Sequence, residues 1–447
     1  MRTFIWFELK KRVRQAKTWG LIILLLMVSL LVIKNYKIKL EEINSNKGNY
    51  SIGDIFITEA KISKYNADDL HSKEHYIKTK YVYELLKKVG KQVKEAEKRN
   101  DRKEYNRAVT FGYLLLSKEA AQKEGSLREL SFRNSIEPIW NIVSEDVEYD
   151  SVNTEYANSY ANRKMYFETL LSAKYYYALY QHNLKDSNEY QIDSLSFCYH
   201  YLNKIMPILL AVLVLIIMFD SVNEEHSKGS LKLVLTQPFS RIKYMISKII
   251  VGFLHTVFVI VIPIIPIVSI MGLGDSFNNY NYPVLYLRHS FNSLFSIHNH
   301  LEYDIKHFGY NKYFGFSSAS FYSKGEEGGV SNQITIMPLY QFLLLSFLIL
   351  IFIILFYVVL NTLISCIFKS KIISFAVSGL ITIVGMVLSN PFISSDNYNL
   401  SPFSMNNPVR ILSGTYNVTA LTAIAVLSIC SVILFVVNVI YFRKKNL

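Results

Sequence analysis

Three cysteines in 447 residues are too few for a disulfide framework, and Cys198, Cys366 and Cys430 read as packing residues. The sequence contains no G-x-x-x-x-G-K-[ST] phosphate loop, so the chain has no Walker-type site of its own for a nucleotide. Charged residues make up only 19% of it. The long apolar runs lack the repeated carboxylates and arginines of an ion-driven carrier or a voltage sensor. No Ser/His/Asp set and no carboxylate pair falls within them with any specificity. An enzyme is therefore not expected, and no cofactor is expected in this chain.

What the chain has in quantity is apolar length. Hydrophobic residues make up 51% and aromatic residues 14% of it. Six runs approach the ~20 residues that cross a hydrocarbon core of roughly 30 Å. We place them at 18–36, 203–219, 247–272, 337–366, 372–389 and 417–442. The first run is followed by "LVIKNYKIKL" rather than by small residues suited to cleavage, so it reads as an anchor and not as a signal peptide. The expected fold class is an all-α polytopic membrane protein with six transmembrane helices. Polar exceptions inside the runs are His255, Asn361, Thr362, Ser374, Ser378, Thr382 and Asn438. These are read as interhelical or backbone hydrogen-bonding residues.

The formal net charge of +13 is distributed by topology. Residues 37–202 hold 25 Lys+Arg against 25 Asp+Glu. The excess lies in the short segments: six bases against Glu8 in 1–17, five against three acids in 220–248, Lys369 and Lys371, and three in 443–445. These alternate with the spans as the positive-inside rule requires. Both termini, 220–246 and the 443–447 tail are expected on the cytoplasmic side of a cell membrane, the plasma membrane of a bacterium. Segments 37–202, 273–336 and 390–416 are expected outside. The charge is no nucleic-acid footprint, and no nucleic acid is expected as partner.

Between the spans the segments differ. In 1–17, Trp6, Leu9, Val13 and Ala16 recur at helical steps among Lys10, Lys11, Arg12 and Arg14, the pattern of a helix in the headgroup layer in contact with membrane lipid. In 37–202, Val82, Leu85, Val89, Val93 and Ala96 share a helix face, and 163–181 gives a second helix. A mainly helical extracellular domain is expected there. The 273–336 segment shows little periodicity. Its "HNHLEYDIKH" makes His298, His300 and His307 weak candidates for a metal, with a solvated loop favoured. In 390–416, Pro391, Pro402 and Pro408 alternate with apolar residues, consistent with a re-entrant segment covered by protein.

The most informative stretch is "NEEHSKGSLKLVLTQPFSRIKYMISK" at 223–248. Glu224 and Glu225 lead it, Gly229-Ser230 interrupts it, and Leu231, Val234 and Leu235 supply a short apolar face. Pro238 stops the segment, and Ser240 can cap the next helix, with Arg241, Lys243 and Lys248 expected at the headgroups. A turn between two spans needs none of this. A pre-shaped cytoplasmic knob for a soluble partner does.

Here the chain resembles type-2 ABC transporter permeases, on Glu225, Gly229, Ser230, Leu231, Leu235, Pro238, Ser240, Arg241 and Lys248. Lys232 departs, since relatives often have Glu there. The resemblance covers about 1–36 and 203–447, with 37–202 and 273–336 as elaborations. It implies a coupling helix at 220–246 seated on a separate ABC ATPase subunit, in two copies, that binds ATP and Mg. It also implies a second permease as homodimer or related heterodimer. The function implied is ATP-driven export of an amphipathic or hydrophobic cargo, such as a peptide or bacteriocin, an antibiotic or a lipid-like molecule. The alternatives are a receptor-like sensor using 37–202 and an ion-coupled transporter.

Overall fold

A computed structural model describes residues 2–46, 51–69, 72–123, 126–154, 163–186, 190–227, 240–288, 290–294, 334–389, 400–413 and 418–444. Six helical stretches in it are long and apolar enough to cross a membrane: Ala16–Glu42, Ser194–Glu225, Arg241–Asp275, Leu339–Ile367, Lys371–Leu388 and Ala420–Lys444. They are numbered here as spans one to six. The protein is an all-α polytopic membrane protein.

A short helix α1 (Arg2–Val13) precedes α2 (Ala16–Asn46), which carries span one and continues well beyond it. The polar segment that follows is built from α3 (Ile52–Asp68), α4 (Lys73–Arg99), α5 (Arg102–Lys123), α6 (Ser126–Val143) and α7 (Arg163–His182). Local chemistry sets their limits. Ser51 caps α3 by accepting from Gly53 N–H, while Asp54 accepts from Ser51 N–H in return. The Asp54 carboxyl sits below its ordinary range, chiefly through its bond to Lys94 and then through Ser51 N–H. Asn100 ends α4 in the left-handed region, at φ 54°.

The α3–α4 hairpin closes where Gly53 faces Gly90. A Cβ on Gly90 would lie 2.8 Å from Gly53 O, so these backbones meet only because neither residue has one. α4 turns Val82, Leu85, Leu86, Val89 and Val93 inward. α5 lies against α4, α6 and α7 and is lined by Phe111, Tyr113 and Leu114.

Span two consists of α8 (Ser194–His200), one π-helical turn at Tyr201–Ile205 and α9 (Met206–Met218). After α10 (Asn223–Ser227), span three comprises α11 (Arg241–Val261) and α12 (Ile264–Asp275), parted at Pro263. Strands β1 (Pro283–Leu287) and β2 (Ile334–Pro338) pair antiparallel, with Pro283 opposite Pro338 and Leu287 opposite Ile334. Sequence periodicity reads 273–336 as irregular, because five-residue apolar runs beside a span are too short to show a period of two. Helices α13 (Leu339–Ile367), α14 (Lys371–Leu388), α15 (Pro408–Leu412) and α16 (Ala420–Lys444) complete the chain. α13 is the central helix and contacts spans two, three, five and six.

The helical domain is seated on the connection between spans three and four. Tyr175 OH bonds Asp186 at 3.0 Å and Tyr282 OH at 2.8 Å, and Tyr176 OH donates to Asp186 at 2.7 Å. Ser194 donates to Asp275 from both its N–H (2.7 Å) and its hydroxyl (2.9 Å). In the 390–416 segment, α15 is buried, and Asn407 ties it to the π turn of span two. Its side chain donates to the backbone oxygen and the side-chain oxygen of Asn203, both at 3.0 Å.

Candidate functional site

The 223–248 stretch begins on α10 and ends on α11. Ser240 caps α11, its hydroxyl accepting from Lys243 N–H at 3.3 Å. One helical turn separates Tyr244 from Lys248, so both present to the same side. That side is the interior. Tyr244 is 0% and Lys248 1% exposed. Lys248 pairs with Glu8 of α1 at 3.0 Å and with Glu225 of α10, and Tyr244 OH donates to Glu225 at 2.5 Å. The Lys248 ammonium also lies 5.4 Å from the Tyr244 ring centre and 5.9 Å from that of Phe4.

One buried cation thus ties three elements: the N-terminal helix, the segment leaving span two and the start of span three. Lys248, expected at the headgroups, is covered by protein and paired with Glu8 and Glu225. It stands at the start of the apolar run "ISKIIVGF" and turns inward, because two carboxylates there offset the loss of its hydration.

The neighbouring contacts extend the same node. Arg12, one turn after Glu8, donates to Ile217 O at 3.3 Å, at the end of span two. Lys17 pairs with Asp220 at 2.9 Å. Ser365 Oγ of α13 accepts from Val222 N–H (3.1 Å) and Asn223 N–H (3.4 Å), fixing α10 to span four. Arg241 donates to Phe442 O at 3.3 Å and Arg443 O at 2.8 Å, so it closes the C-terminal end of span six, where carbonyls lack helical partners. Tyr244 and Phe442 stack at 5.4 Å. Thr18 Oγ1 donates to Arg12 O at 2.7 Å and lies 2.9 Å from His255 Nε2, which fastens the α1–α2 elbow to span three.

Of the residues singled out from sequence, Glu225 is buried in the node and Arg241 braces its edge, while half-buried Glu224 lines a cleft beside them with Lys11 and Lys17. Gly229, Ser230, Leu231, Leu235 and Pro238 lie outside the described residues. So do His298, His300 and His307, and among the described residues no cluster of His, Cys, Asp and Glu is arranged to hold a metal. Glu8, Tyr244 and Ser365 were missed. A signal for Glu8 was present, since it is the one acid among the six bases of 1–17.

The node's two carboxylates, Glu8 and Glu225, are both engaged by Lys248. Comparison with curated proteins and with solved structures found no match. A family described as ABC-2 family transporter protein matches residues 2–446. That match takes in the whole span set, the node and the helical domain alike. The chain therefore belongs to the ABC-2 transporter family, as a membrane-spanning subunit of an ABC transporter whose family implies a partner ATPase.

Proposed function

We propose that the protein is the permease of an ATP-driven exporter, with residues 220–246 docked on a separate ABC ATPase that supplies ATP hydrolysis and Mg. The observation that carries this reading is the buried Glu8–Lys248–Glu225 pairing at the root of the 228–239 segment. Displacement of that segment by a soluble partner is delivered through Glu225 to span three and α1, through Ser365 to span four, and through Arg241 to span six. A connection that only joined two spans would have no need of this bracing. Two permeases, identical or related, face each other in the assembly. The cargo is amphipathic or hydrophobic, and a peptide suits the tyrosine-rich helical domain.

The test is ATP hydrolysis by the complex purified in mild detergent. Gly229→Trp is expected to insert normally but to lose the co-purifying ATPase. Glu225→Gln, which shortens no side chain, is expected to keep the ATPase bound and to lose most of the permease-dependent change in hydrolysis. Full association and unchanged hydrolysis in both variants would overturn the coupling role.

The orientation proposed places 37–202 outside and 220–246 in the cytoplasm. An impermeant thiol reagent added to intact cells is expected to label Asn153→Cys and to spare Ser227→Cys. The reverse pattern would invert the topology.

A further inference from the structure

We propose that a cleft between the α1–α2 elbow and the turn after span two's helix α9 holds one bound water molecule, which bridges Gln15 and Ser221. Gln15 lies in the elbow, where its N–H donates to Arg12 O at 3.1 Å and its carbonyl accepts from Thr18 N–H at 3.0 Å. Ser221 lies in the turn, its N–H donating to Met218 O at 3.0 Å. Both side chains line the cleft. Contacts on either side fix its width: Arg12 donates to Ile217 O at 3.3 Å, and Lys17 pairs with Asp220 at 2.9 Å.

Two side-chain oxygens in this cleft are orphaned. Gln15 Oε1 and Ser221 Oγ are buried, and neither has a hydrogen-bond partner among the described residues. Ser221 as a whole is only 3% exposed. A buried polar atom left without a partner is costly, and folded proteins rarely tolerate it. Two such atoms lining one cleft point to a shared ligand.

Size and charge select that ligand. The free volume is about 10 Å³, room for about one water molecule and too little for a phosphate or a carboxylate. Four carboxylates and four cationic side chains line the cleft, so a bound ion of either sign would be uncompensated. Glu8 and Glu225 are already taken by Lys248, and Asp220 by Lys17. Gln15 Oε1 can only accept a hydrogen bond, which turns away chloride. Water donates to Gln15 Oε1 and can either donate to Ser221 Oγ or accept from it.

Such a bridge ties the elbow to the turn, beside the Glu8–Lys248–Glu225 node, without a further ion pair. It breaks and re-forms by exchange of one molecule, whereas the pairs around it must separate charge. The inference rests on the cleft alone and not on the coupling role proposed above.

The experiment determines the structure of the full chain in nanodiscs at a resolution that shows ordered water, and follows thermal unfolding in detergent. A density peak within about 3.0 Å of both Gln15 Oε1 and Ser221 Oγ is expected. Ser221→Val, which fills the cleft, is expected to lower the unfolding midpoint by roughly 1–3 °C, because it displaces the water and leaves Gln15 without a donor. Ser221→Ala is expected to cost less in a Gln15→Met background than alone, since the two residues share one molecule.

A direct Gln15–Ser221 bond with no peak between them would overturn the proposal. So would strictly additive losses, or a higher midpoint for Ser221→Val, the mark of a dry void. A midpoint raised by potassium or sodium chloride over N-methylglucamine chloride, and not raised in Ser221→Ala, would assign the cleft to a cation instead.

Discussion

Helices α4 and α14 are built on opposite plans. α4, in the polar domain, buries Val82, Leu85, Leu86, Val89 and Val93 and exposes lysines such as Lys87, Lys88 and Lys91. α14, which forms span five, buries Ser374, Ser378 and Thr382, all three at steps of four, and exposes Ile372, Phe375, Leu380, Ile383 and Leu388. Each helix presents to its surroundings what those surroundings solvate. Water drives apolar area inward. Hydrocarbon gives apolar side chains no reason to hide, so the protein-facing side of a span is free for small and polar residues. The buried Glu8–Lys248–Glu225 node is the extreme case of the second plan, since its charges find partners only inside the bundle.

The comparison can be broken first at that node. Lys248→Met leaves Glu8 and Glu225 without their cation and is expected to cost about 3–5 kcal/mol. Thermal unfolding in detergent would show this as a clear loss of stability. Replacing the node whole, with Glu8→Leu, Tyr244→Phe, Glu225→Leu and Lys248→Met together, is expected to recover most of it, because no uncompensated group then remains. If Lys248→Met alone were neutral, the charges would not be buried together as described.

A smaller and sharper contrast uses one chemical change on both helices. Leu86→Ala in α4, at a position 1% exposed, is expected to destabilise by about 2–5 kcal/mol. Leu380→Ala in α14, at a position 63% exposed, is expected to change stability by less than about 0.5 kcal/mol in detergent. Similar losses from the two would show that span five is covered by protein after all.

The smallest effect is expected where the two plans meet. Asp193 caps α8, accepting from Ser196 N–H at 3.1 Å. Burial raises its carboxyl above the ordinary value near 3.8, and the nearby Asp275 pushes the same way, while bonds from Ser196 partly oppose them. A raised folded value means that this group's contribution is fully present below the unfolded pKa and is lost as pH rises through the folded one. Asp193→Asn keeps a capping side chain. It is expected to flatten that fall and to change stability near neutral pH by no more than about 0.5 kcal/mol. A pH profile of unfolding identical to that of the unaltered protein would remove Asp193 from the account.

Much of this was legible in the sequence. The spans were, because a hydrocarbon core of fixed thickness imposes a length on any helix that crosses it. The α4 face was, because a helix in water must carry its core stripe at a fixed period. The polar exceptions of span five could be named, although their shared inward face needed the fold. Glu225 and Arg241 were named as site residues, yet their partners were not. The inward turn of Lys248 was not legible for the same reason: a flanking base and an inward base look alike along one dimension. β1 and β2 were missed because short buried strands next to an apolar span leave no separate signal.

The sequence by itself determined the number of crossings, the periodic faces and the segregation of charge between segments, since each depends on spacing along one chain. Only the tertiary structure decided that Glu8 and Glu225, 217 positions apart, share one lysine. It also decided that Arg241 closes the last helix and that Asn407 reaches Asn203. Those contacts depend on which helices pack together, and packing is settled by the complementarity of whole surfaces rather than by any local run of residues.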